Sequence, residues 1–510
     1  MKRNYFVCCL IALFGSLQMQ AYDFEVNGIF YTVTGDNTVS VDVGTSLYEG
    51  AVTIPVTVAN GGVEYNVTGI ADNAFGYCTG LTSIEFPAGL TEIGKAAFRN
   101  CFGLTTVSLP DGVKSVGPSA FFGCKGLTGV NFPAGLTEIA SYMFYGCEGL
   151  TSVNLSNNIT SVGGSAFAGC VGLKNVTIPE SLSQIESYTF KGCKGLTSVT
   201  IPANVKNVGD AAFQNCTGLT SATISEGVVQ IGRATFEGCT GLSSLAIPSS
   251  VKALVSSSFG GCKNLTSITV ADGNTVYDSR NNCNAIIETY VEKKQNESVT
   301  HYKLVAGCKT STIPEGVTEI GTNAFLNCNG LTQAVIPASV TLIGASAFQG
   351  TGITTIAVPE SVTSIEDYCF SDCDKLTTVT LPASVTKIGD GAFAYCTALK
   401  KFYCYAEKCP TAFSDAFTST PVEDATLYVP EASVGAYTLA EPWSLFGAIV
   451  SVDGNLVAPE KDSETAIASL QGAGNVQQVY TIGGQQSAKL QRGINIVRMS
   501  DGTTRKVLVK

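Results

Sequence analysis

Cysteine has the most chemistry to offer in this 510-residue chain, and its spacing is regular. Of 19 cysteines, twelve lie three residues after the phenylalanine of a repeat: Cys78, Cys101, Cys124, Cys147, Cys170, Cys193, Cys216, Cys239, Cys262, Cys328, Cys373 and Cys396. Thiols can bridge, bind zinc or act as nucleophiles. Zinc needs paired Cys-x-x-Cys or added histidines, and the repeats have neither. If equivalent residues stack, successive thiols lie roughly 5 Å apart, which admits a disulfide. Equivalent side chains point in parallel, however, so a ladder of small buried thiols is the expected arrangement. Cys283, Cys308 and Cys369 also lie off the ladder, and Cys404 with Cys409 is the best-placed pair for one bridge.

Other reactive types are sparse. The one histidine, His301, lies in a polar interruption of the repeats; it is the one possible base for Cys-His or Ser-His-Asp catalysis and is expected to be solvated. Carboxylates such as Glu92, Glu138, Glu180, Glu186, Glu319, Glu366 and Asp367 are scattered over turn positions and read as a solvated face. The cluster Asp278-Ser-Arg-Asn281-Asn282-Cys-Asn284 is oxygen-rich but lacks the EF-hand order, so an Asx-rich turn is expected rather than calcium. No phosphate loop or dinucleotide fingerprint is present. The expectation is a chain that is not an enzyme and has no catalytic residue, cofactor or metal.

The elements that place the cysteines repeat every 23 residues. Phe75, Phe98, Phe121, Phe144, Phe167, Phe190, Phe213, Phe236 and Phe259 keep that period, and Phe325, Phe348, Phe370 and Phe393 resume it. A fixed period of this length marks a repeat architecture in which one unit cannot bury its own apolar face. In Leu81 to Cys101, LTSIEFPAGLTEIGKAAFRNC, alternating apolar residues make a short strand and Pro87 ends it. A second apolar pair follows, Leu90 and Ile93, then Gly94, where a sharp turn is expected.

The pattern C-x-x-L-x-x-[IV]-x-[IL]-P-x-x-[VL]-x-x-I-G-x-x-A-F-x-x-C, from about Tyr65 to Tyr403, resembles the BspA-like, or Treponema-pallidum-type, leucine-rich repeat. The resemblance implies a right-handed, mainly β solenoid with β-rich caps at both ends. It also implies a secreted or surface-exposed bacterial protein, in some cases an adhesin.

The ends read differently. Residues 1–21 have Lys2 and Arg3, then apolar Tyr5 to Leu17, and a cleavage point after Ala21, the pattern of a signal peptide. Losing Lys2 and Arg3 takes the formal charge from −11 to −13, which speaks against nucleic acid. Alternation over 22–57 predicts an N-terminal β cap. The repeats occupy 58–403, with modified coils at 271–306, where Glu292 to Ser298 is polar enough to be a hairpin tip. Residues 404–453 suit a C-terminal cap sealed by Trp443, 454–475 read as a linker, and 476–510 as a small β domain. In that last stretch Gly493 to Val497 and Lys506 to Lys510 resemble the C-terminal sorting or anchoring domain of Bacteroidetes secreted proteins.

Two surfaces are candidates for binding. The outward strand positions, among them Thr82, Ser83, Glu85, Thr105, Thr106, Ser108, Asn131, Asn154, Asn175, Thr177, Thr197, Ser198 and Thr200, would stack into hydroxyl-rich rows. Aromatics at Tyr77, Phe102, Phe122, Tyr145 and Tyr395 crowd the turn beside the cysteines, and Tyr142, Tyr188 and Tyr368 replace the usual small residue two before the phenylalanine. The expected role is a monomeric, non-catalytic, extracellular interaction protein contacting host or microbial proteins or glycans. The alternatives are an envelope spacer and a carboxylate-dependent enzyme acting on glycans.

Overall fold

A computed structural model describes residues 22–255, 257–294, 297–452 and four later strands, Val476–Thr481, Gln486–Ser487, Gly493–Met499 and Thr504–Val509. The expected signal peptide and linker lie outside the described residues. The chain divides into two compact units, Met1–Leu242 and Ser243–Lys510. Both are mainly β solenoids of stacked coils.

Each coil has three sides. The first is a short parallel strand: Thr106–Ser108 pairs with Gly129–Asn131, and Ser198–Ile201 with Ser221–Ile224, each partner 23 residues on. Its alternation decides what is buried, with Val107 and Leu109 inward and Thr106 and Ser108 in solvent. The second side is a two-residue parallel bridge, such as Glu92–Ile93 with Ser115–Val116.

The third side is a turn that carries the phenylalanine. Its backbone alternates in hand, with positive φ at Ala96 (55°) and Asn100 (59°) around Phe98. Alternate N–H groups donate forward to the next coil, as from Phe98 to the Ala120 carbonyl (2.7 Å) and from Asn100 to the Phe122 carbonyl (2.7 Å). The intervening ones close within the turn, Cys101 to Phe98 at 3.2 Å. These amides therefore find partners without a strand. The glycine before this turn answers to crowding: a Cβ on Gly94 or Gly117 would sit 2.6 Å from a backbone nitrogen of the preceding coil. Close approach, not a left-handed turn, requires glycine there.

The phenylalanines fill the interior as a continuous stack. From Phe75 to Phe236 neighbouring rings are 4.9–5.6 Å apart with planes within 3–11°. In the second unit Phe325, Phe348, Phe370, Phe393 and Phe417 stack the same way at 5.2–5.7 Å.

At the N-terminus, Phe24–Val26, Ile29–Gly35 and Thr38–Val41 form an antiparallel meander, and Thr38–Val41 then runs parallel to Val63–Ile70. In the second unit the period breaks at a long hairpin, Ala285–Lys294 against Glu297–Gly307. Its root is core: Ile286, Ile287, Leu304 and Val305 are buried, and Lys303–Leu304 pairs with Glu319–Ile320. The insertion adds strands but no phenylalanine turn. The turn at Phe259 therefore meets the one at Phe325, Gly261 donating to the Leu326 carbonyl at 2.9 Å, with a cavity of about 10 Å³ beside them. That volume is room for one water.

Parallel stacking continues through Lys401–Cys404, Thr426–Val429 and Ala448–Ser451. Trp443 is fully buried against Phe402, Phe417 and Tyr437, and its indole N–H donates to the Pro410 carbonyl at 3.0 Å.

Candidate functional site

The cysteine ladder is built for packing. In coil after coil the thiol donates to the phenylalanine carbonyl of the preceding coil: Cys101 to Phe75 (3.0 Å), Cys170 to Phe144 (3.1 Å), Cys239 to Phe213 (3.1 Å) and Cys396 to Phe370 (3.2 Å). Where the cysteine is missing, a threonine takes the position. Thr420 reproduces the bond, donating to the Phe393 carbonyl at 2.6 Å, whereas Thr351 donates within its own coil to the Phe348 carbonyl at 2.8 Å and lies 3.3 Å from the Cys373 thiol. Burial pushes the Cys170 and Cys216 thiols up to about 12, so they stay protonated and unreactive at neutral pH.

All seventeen described cysteines are free. The expected Cys404–Cys409 bridge is not formed. Cys404 sits on a core strand with its thiol 3.2 Å from the Tyr437 hydroxyl, while the Cys409 thiol turns toward the Pro410 carbonyl at 3.8 Å.

His301 corrects a second expectation, since it is not solvated. Only 20% of its side chain is exposed, and its ring stacks on Tyr290 at 4.9 Å. Nε2 lies 3.3 Å from Glu292 Oε2 and Nδ1 lies 3.2 Å from Glu319 Oε1. The Tyr290 hydroxyl donates to the same Glu319 oxygen at 2.5 Å, and its own ionisation is pushed up by burial and by that carboxylate. The cluster pins the hairpin to the strand Glu319–Ile320. The repeat pattern does not show it, because the partners come from both hairpin arms and the next coil.

The oxygen-rich stretch is a salt bridge. Arg280 grips Asp278 through Nε–Oδ1 (2.8 Å) and Nη2–Oδ2 (2.5 Å) and lies over the Tyr302 ring at 4.2 Å. Burial would raise the Asp278 carboxyl, but the Arg280 hydrogen bonds outweigh it and hold the group below its usual range. Both oxygens are thereby occupied. No cluster of three metal-ligating residues occurs among the described residues.

The strand face places twelve of its thirteen candidates in solvent: Thr82, Glu85, Thr105, Thr106, Ser108, Asn131, Asn154, Asn175, Thr177, Thr197, Ser198 and Thr200, with Ser83 half-buried. Its outermost row is not wholly available to a ligand. Thr128 donates its hydroxyl to the Thr105 carbonyl (3.1 Å), Thr151 to Thr128 (3.3 Å) and Thr220 to Thr197 (3.0 Å), stitching each coil to the one before. The free polar positions are those one step inward, such as Thr106, Ser108, Asn131 and Asn154.

On the turn edge, Tyr77, Phe102, Tyr145 and Tyr395 are exposed, as are Tyr142, Tyr188 and Tyr368, while Phe122 is half-buried. Phe122 is sandwiched between the Arg99 guanidinium (4.6 Å) and the Tyr145 ring (4.8 Å, planes 6° apart). Tyr77, Tyr142, Tyr188, Tyr368 and Tyr395 all have φ between 55° and 65°. That strain could not be read from the repeat pattern.

Comparison with known proteins agrees with this anatomy. The profile of the BspA type leucine-rich repeat region matches residues 62–174, 160–287 and 299–423. A leucine-rich repeat protein from Bacteroides ovatus is similar at 27% identity over 75% of this chain and 94% of that one, with a TM-score of 0.53. A leucine-rich cell surface protein from Faecalibacterium prausnitzii is 25% identical over 87% of this chain and 96% of that one, TM-score 0.49. The T. pallidum leucine-rich repeat protein is 26% identical over 43% of this chain and 90% of that one, TM-score 0.33. No curated protein matches the sequence. With the profile spanning most of its length, the chain belongs to the BspA-type leucine-rich repeat family.

Proposed function

We propose that this chain is a non-catalytic interaction protein displayed outside the cell, which as a monomer contacts host or microbial proteins or glycans. The observation that carries the reading is the strand face: polar side chains at Thr106, Ser108, Asn131 and Asn154 repeat in register along paired coils and serve no role in the core. The signal-peptide pattern of residues 1–21 supports an extracellular setting. Among the described residues no helix is long and apolar enough to cross a membrane. Residues 22–57 and 404–453 act as caps in this reading, and 476–510 as the anchoring β domain.

The test is binding of the full chain to cells, matrix proteins, mucins and polysaccharides, repeated after substitution of Thr106, Ser108, Asn131 and Asn154. Binding that the substitutions abolish supports the strand face, and binding that survives them removes it. The spacer reading draws on the threonine stitching, which gives many surface hydroxyls a structural purpose. It predicts no specific binding at all.

A further inference from the structure

The turn edge of the first unit carries a slot that the repeat does not need. Two residues before the core phenylalanine, the coils present Asn73, Ala96, Ser119, Ser165, Ala211 and Ala234, all at positive φ. Tyr142 and Tyr188 take this position at φ 59° and 64° with 47% and 44% of their surface exposed. A bulky residue held left-handed is strained, and strain on exposed side chains points to use rather than packing.

Between the two tyrosines lies one coil with only small edge residues, the buried Ser165 and Ala168. Tyr145 flanks it on the Tyr142 side and Lys191 on the Tyr188 side. Tyr142 and Tyr145 are in ring contact at 6.0 Å, and the Lys191 ammonium lies 5.3 Å from the Tyr188 ring. Two coil spacings set the walls on the order of 10 Å apart, and contact on each face takes up roughly 4 Å. One saturated ring fits.

We propose that this slot binds an acidic polysaccharide, seating one uronate-type pyranose. The ring's polarised C–H faces would lie against the electron-rich tyrosine faces, and its carboxylate would meet Lys191, with the exposed Lys194 close by in sequence. Charge favours this occupant. The chain is acidic overall, yet the slot's charged wall residue is a lysine, shared electrostatically with Glu237 two coils on, and the nearby Glu148 is taken up by Lys125 at 2.8 Å. A protein partner fits less well, because tight protein interfaces seat anchors in deep pockets and are depleted in lysine. This inference rests on the interaction reading above and names its ligand.

The test uses the full chain against polygalacturonate and alginate, with neutral dextran and poly-glutamate as comparisons. The expected result is uronate-polymer binding that falls at least tenfold in the double variant Tyr142→Ala, Tyr188→Ala. Lys191→Ala should weaken uronate binding and abolish the preference over dextran. Alanine already stands at 96 and 211, equivalent to 142 and 188, and at 168, equivalent to 191, so both variants should keep the wild-type melting profile. Unchanged uronate binding in the double variant overturns the slot, and equal, tyrosine-dependent binding of poly-glutamate would make it an acidic-polypeptide site instead. A wild-type chain that captures matrix proteins but no uronate polymer overturns the slot and leaves the interaction reading standing. One that captures neither overturns both.

Discussion

The thiol of Cys216 donates to the carbonyl of Phe190, 26 residues earlier, across 3.1 Å. That bond ties the two residues that define the repeat, and Thr420, which makes the same bond to the Phe393 carbonyl, shows that the position selects a small hydrogen-bond donor rather than sulfur chemistry. Cys216→Thr should therefore be tolerated better than Cys216→Val, by about 1 kcal/mol, the worth of one buried hydrogen bond. Urea midpoints of the two variants check this, and equal midpoints would reduce the ladder to volume filling.

Phe213 is fully buried between Phe190 and Phe236, 5.4 Å from each. Phe213→Ala should cost about 3–5 kcal/mol by loss of transfer energy plus cavity. A loss below about 1 kcal/mol in chemical denaturation would contradict its inward position.

The thiols also set a pH dependence. Burial raises Cys170 and Cys216 from 9.0 to about 12, so the unfolded chain releases these protons first as pH rises. Their contribution is fully present below pH 9 and is lost progressively toward pH 12. Denaturation midpoints should fall over that window, and a Cys216→Thr variant should fall less steeply. In native protein at pH 8, a thiol reagent should modify the half-buried Cys409 first and leave the ladder untouched until unfolding.

Midway along the hairpin, His301 meets Glu319 of the next coil through Nδ1 at 3.2 Å. Replacing it by alanine leaves the Glu319 carboxylate, only 13% exposed, without its imidazole partner. Hydrogen exchange over 289–302 should then speed up roughly tenfold, about 1.4 kcal/mol of local opening, while the coils around Phe370 keep their protection. Uniform acceleration throughout the second unit would instead mean that His301 supports the whole stack.

The solenoid was legible because one 23-residue phrase encodes its own neighbours: apolar alternation fixes the strand, and Phe-x-x-Cys fixes the turn. The hairpin was legible from paired apolar roots at Ile286-Ile287 and Leu304-Val305 around a polar tip. What depends on contacts between distant residues was not. The burial of His301 needs Glu319 from the next coil, and the glycine at 94 is required by the Asp72 backbone nitrogen, 22 residues away. The slot beside Ser165 exists only once the coils are in register, although Tyr142 and Tyr188 already stood out as large residues in a small-residue column.

Display outside the cell is what every binding role here requires. Intact producing cells should be treated with external protease and probed with an antibody against the repeats. Loss of the repeat signal, with a periplasmic control protein intact, is the expected result. A repeat signal that survives on intact cells and disappears only after the envelope is opened would contradict surface display and the interaction role built on it.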